Sequence, residues 1–94
     1  MMKTRVAVIS VILESPELAP KVNNLIGEYN DYIVGRMGIP YKKRGISIIS
    51  AVIDSPQDVI SNLSGKLGRL KGVSTKTAYS NYIFEDDENE KINW

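Results

Sequence analysis

Two stretches of this 94-residue chain place residues that can do chemistry at close spacing. The first, Ser64-Gly65-Lys66-Leu67-Gly68-Arg69-Leu70-Lys71-Gly72-Val73, sets glycines beside cations, as a phosphate-cradling loop does. The second, Glu14-Ser15-Pro16-Glu17, sets two carboxylates and a hydroxyl ahead of a helical pattern. A loop of the GxxxxGK[ST] kind needs a glycine five residues before Gly65 and a hydroxyl directly after Lys66. Ile60 and Leu67 occupy those positions, and a helical pattern stands where a strand is required. Phosphate cradling is set aside. If the stretch continues a helix with Leu63 facing the core, Leu67 and Leu70 share that direction. Ser61, Gly65 and Gly68 then take the opposite face, with Ser64 at its flank and Lys66 toward the edge of the apolar stripe. Each helical glycine costs about 1 kcal/mol relative to alanine. The smooth face therefore predicts close approach of a second subunit or a ligand, with Ser61, Ser64, Gly65, Lys66 and Gly68 as the contacts; a poorly formed helix end is the competing explanation.

The chain has no cysteine and no histidine. Disulfides, thiolate or imidazole metal sites and catalysis by Cys or His are thereby excluded. No catalytic residue, metal or cofactor is assigned. The basic residues and acids divide unevenly: the first 84 residues hold eleven bases against six acids, a net +5, and Glu85 to Trp94 hold five acids and one lysine. This reads as a solvated, mildly basic body followed by an acidic, flexible tail. No run approaches membrane-spanning length, and a cytoplasmic protein with no membrane partner is expected.

The elements that must position these stretches follow from periodicity. Val6–Leu13 and Ile46–Ile53 are β-branched runs, apolar at odd and even positions alike, as central strands are when both faces are covered. Asp31–Met37 and Val73–Tyr79 alternate better and read as edge strands. Leu18, Val22, Leu25, Ile26 and Tyr29 make one helical stripe; Val59, Ile60, Leu63, Leu67 and Leu70 make a second. Pro20, one turn after Pro16, predicts a distorted first turn or a helix that starts late. Gly72 is placed in the left-handed position that ends the second helix, and "GIPYKKRG" (Gly38–Gly45) reads as a turn.

The order strand, helix, strand, strand, helix, strand predicts an α+β, ferredoxin-like βαββαβ domain: a four-stranded antiparallel sheet with two helices on one face. The domain is placed at residues 1–80, with 81–94 as a C-terminal extension. Helices on one face leave the apolar second face of the central strands uncovered. A homo-oligomer, dimer or tetramer, that buries this face is the expected remedy.

Three segments, Arg-Val-Ala-Val-Ile (5–9), Arg-Met-Gly-Ile-Pro (36–40) and "LSGKLGRLKGVSTKT" (63–77), resemble the small regulators of iron-only hydrogenase systems. The resemblance covers most of residues 4–78, and "LSGKLG" ahead of a Gly-Val strand start is its most specific part. It implies an ACT-like fold and a regulatory module that oligomerises. ACT domains read Asp-x-Pro-Gly between the first strand and helix, where the glycine admits an amino-acid ligand. Here Glu14, Ser15, Pro16 and Glu17 occupy that turn and are the effector-binding candidates the resemblance implies. Glu17 replaces the glycine, and its charge suits a helix N-terminus but opposes an incoming carboxylate.

A non-enzymatic regulator that binds a small effector between subunits is the leading expectation. An acylphosphatase of the same topology needs a glycine-rich anion loop after the first strand, which Glu14-Ser15-Pro16 does not supply. The alternative is a nucleic-acid-binding regulator using Lys42-Lys43-Arg44, Lys66, Arg69 and Lys71. Neither a helix-turn-helix nor an aromatic RNA-binding strand accompanies those bases.

Overall fold

The computed structural model describes residues 2–86. Its long elements are β1 (Met2–Leu13), α1 (Ala19–Gly27), β2 (Ile33–Tyr41), β3 (Ile46–Ser55), α2 (Gln57–Gly68) and β4 (Val73–Tyr79), followed by a short β5 (Phe84–Asp86). The sheet is antiparallel, with strand order β2-β3-β1-β4, so the two doubly apolar runs are its central strands.

Alternation sorts the side chains of these strands. Ala7, Ile9, Val11 and Leu13 of β1 and Ile49, Ala51 and Ile53 of β3 are buried. They pack with Val22 and Ile26 of α1 and Ile60, Leu63 and Leu67 of α2 in one core. Each of the Val, Leu and Ile side chains contributes about 1.5–3 kcal/mol when removed from water. Both helices therefore owe their place to the same sheet face.

Ser15 caps a short 3-10 turn over Pro16–Leu18, its hydroxyl accepting from the Glu17 N–H at 3.3 Å. The α-helix starts only at Ala19, so the first turn is distorted, as the second proline requires.

The structure differs from the sequence reading at three places. The strand β2 runs on through Gly38 and Pro40 to Tyr41, and only Lys42–Arg44 with Gly45 (φ 66°) make the turn. A proline is tolerated there because β2 is an edge strand, where its missing N–H interrupts no ladder. The strand β1 begins at Met2, and its first residues pair with β5, a fifth strand that local pattern does not announce. Finally, α2 ends at Gly68, and Gly72 (φ 80°) closes the turn beyond it rather than the helix itself. The acidic tail expected to be flexible lies, from residue 87 onward, outside the described residues.

Candidate functional site

The two candidate stretches meet at one end of the sheet. The Glu14 N–H donates to the Gly72 carbonyl at 2.9 Å, joining the β1–α1 turn to the residue that leads into β4. A side chain at Gly72 would stand 3.0 Å from Leu18 Cδ1 and 3.2 Å from Glu14 Oε2, so the corner admits glycine alone without adjustment. Glu14, Pro16 and Glu17 are exposed, and Ser15 is half-buried in its capping role.

Within α2 the expected smooth outer face is divided among several contacts. Ser64 turns toward the sheet, its hydroxyl 2.8 Å from Thr77 Oγ1 of β4. Ser61 accepts from Gln57 within the helix at 3.2 Å. Gly65 is overlain by the Arg69 guanidinium, 3.3 Å from where a Cβ would sit, while Gly68 faces open space. Lys66 is exposed and lies over the Tyr29 ring of α1, 5.3 Å from its centroid. Tyr29, chiefly through hydrogen bonding, holds the Lys66 ammonium above the ordinary lysine range. Lys66 thus lines a groove of about 450 Å³ between the helices, with Leu25 and Leu70 as apolar lining and Lys21, Glu28 and Arg69 as its charged groups.

The larger surface feature is the side of the sheet that carries no helix. Cross-strand register places Val8 beside Val52 and Ile12 beside Ile48; Ile39 of β2 continues the second row, and Met37, opposite Ser50, lies between the two. Val8, Ile12 and Met37 are 36%, 47% and 57% exposed, large values for apolar side chains within a sheet. Tyr82, Ile83 and Phe84 do not bury themselves on this face; all three are exposed. Sequence reasoning identified the apolar face but missed an acid on it. Asp54 ends the β3 run on the open side, opposite Val6, and its Oδ1 is shielded from solvent with no hydrogen-bond partner. The signal available in the sequence was a single carboxylate near the end of a strand with no other charged residue.

Among the described residues no group of three or more His, Cys, Asp or Glu can hold a metal ion. No helix there is long and apolar enough to cross a membrane.

Fold and surface together define an α+β domain with two helices on an antiparallel sheet and an open apolar face. Residues 5–77 match the family described as "TM1266-like: Iron-only hydrogenase system regulator, putative", and the chain belongs to that family. The solved structure of uncharacterized protein TM1266 from Thermotoga maritima is similar at 34% identity, with a TM-score of 0.76. The match covers 81% of this chain and 96% of that one. No curated protein matches the chain.

Proposed function

We propose that the protein is a non-enzymatic, ACT-like regulatory module of an iron-only hydrogenase system, and that it works as a homo-oligomer joined through its open sheet face. The strand order, with first and third strands central, supports the ferredoxin-like reading. The observation that carries the proposal is the row of exposed apolar side chains on that face, led by Val8, Ile12 and Met37. Burying such a patch between copies removes apolar area that a lone subunit leaves in water, at about 25 cal/mol per Å².

A small effector bound next to the subunit interface belongs to the same reading. Glu14 and Glu17 stand exposed at the β1–α1 turn, beside the Gly72 corner. Two carboxylates there favour a ligand presenting an amine or another cation over a free carboxylate. The experiment is a native mass spectrum of protein purified from its own host, which reads oligomer mass and retained ligand together. A multimer is expected. A monomer with nothing bound would contradict the proposal.

A further inference from the structure

The open sheet face carries two charged side chains on the β1, β3 and β4 strands over the level of Val6 to Leu13. One is Asp54 of β3, opposite Val6; the other is Lys76 of β4, opposite Ser10. Two other charges of the sheet point elsewhere: Arg36 bonds Asn23 on α1, and Arg5 bonds Gln57 on α2. Neither of the two open-face charges has an ion-pair partner among the described residues, where the recorded pair is Lys3 with Glu85. They lie two strands and four residues apart, roughly 16 Å at ordinary sheet spacings, too far to meet within one subunit.

Their placement has a symmetry. Val8 lies midway between Val6 and Ser10 on β1, the strand that separates β3 from β4. A two-fold axis lying in the plane between two facing sheets and passing over Val8 exchanges the Asp54 and Lys76 positions. The strands of the two sheets then cross steeply, nearer the orthogonal than the aligned class of sheet packing. In a two-fold interface each contact occurs twice, with residue i on j and j on i.

Asp54 also calls for a cation. Its Oδ1 is shielded from solvent and has no hydrogen-bond partner, and a buried polar atom left unpaired is unfavourable. A charge delivered to the other oxygen is the available compensation.

We infer that the occupant of the open face is a second copy of this chain, set in register by Lys76 of each copy reaching Asp54 of the other. The inference rests on the proposed sheet-face assembly and adds the device that orients it. An apolar face alone permits many registers, and a self-complementary charge pair selects one.

The test is charge reversal on the full chain, read by sedimentation velocity and by native mass spectrometry with one variant isotope-labelled. Lys76→Glu places Glu against Asp54 twice per dimer, and Asp54→Lys places Lys against Lys76 twice. Each should weaken self-association by about tenfold or more. An equimolar mixture of the two should form the mixed dimer in preference to either self-dimer, and Asp54→Lys/Lys76→Glu should associate within a few-fold of wild type. If Asp54→Lys does not fold, Asp54→Asn in the Lys76→Glu background should recover association, because it removes the like-charge contact. Reversals that leave the wild-type dimer and its partner choice unchanged would overturn the pair, while Ile12→Glu, if it still dissociates the dimer, keeps the sheet face as the interface. A wild-type monomer would overturn both.

Discussion

Ser64 Oγ and Thr77 Oγ1 lie 2.8 Å apart, a side-chain hydrogen bond that ties the flank of α2 to the edge strand β4. Both residues are half-buried, so water replaces the lost partner poorly when either is truncated. Ser64→Ala and Thr77→Val should each destabilise the fold, and their double-mutant cycle should return a coupling of about 1 kcal/mol in denaturant unfolding. Additive losses would mean that the two hydroxyls do not support each other.

The two left-handed glycines should respond differently to the same change. Gly45 (φ 66°) has open space where a Cβ would go, whereas Gly72 (φ 80°) meets Leu18 and Glu14 there. Gly45→Ala carries the backbone cost alone, about 1 kcal/mol. Gly72→Ala adds steric displacement of the β1–α1 turn and should cost clearly more. Equal shifts in melting temperature would contradict the packing described at that corner.

The α2 glycines test where subunits meet. A Cβ at Gly65 displaces only the mobile end of Arg69, and one at Gly68 meets nothing. Gly65→Ala should therefore stabilise by up to about 1 kcal/mol, and Gly68→Ala, at the last helical residue, by less. With association through the sheet face, the oligomer mass should not change. A lower mass in Gly65→Ala/Gly68→Ala would move the interface to α2, where the sequence placed a candidate contact.

Lys66 sets a pH expectation of definite sign. Tyr29 raises its pKa above the ordinary 10.5. A base with a raised folded-state pKa adds stability that is fully present below the unfolded value and lost as pH rises through the folded one. The stability difference between wild type and Lys66→Met should stay constant from neutral pH to about pH 9 and shrink above 10.5. A gap that changes between pH 5 and 8 would point to another titrating group.

The central strands were legible because Val6–Leu13 and Ile46–Ile53 carry apolar residues at both odd and even positions, which no one-sided strand needs. The apolar stripes of both helices were legible for the same local reason. Elsewhere, local signals conflicted with tertiary context. Gly38 and Pro40 carry turn chemistry, yet they sit in β2 because an edge strand has one side free of ladder bonds. The β5 strand depends on Phe84 finding Thr4, a pairing across nearly the whole chain that leaves no periodic trace. Ser64 was placed at the flank of an outward face, but the buried triad Ile60, Leu63 and Leu67 rotates α2 so that this flank meets β4. Asp54 escaped notice because one acid at a strand end looks like solvation until the register shows it on the apolar side.

The most direct measurement is the solution mass of the full chain at micromolar concentration, by light scattering after size exclusion, for wild type and Ile12→Glu. Ile12 is 47% exposed in the single subunit, so a glutamate there can remain solvated and the fold should persist, as checked by circular dichroism. Placed between two sheets, the same carboxylate would be desolvated opposite apolar side chains at a cost of several kcal/mol. Wild type is predicted to run as a dimer or larger, and Ile12→Glu as a folded monomer. A monomeric wild type, or an Ile12→Glu variant that keeps the full mass, would contradict assembly through the open sheet face.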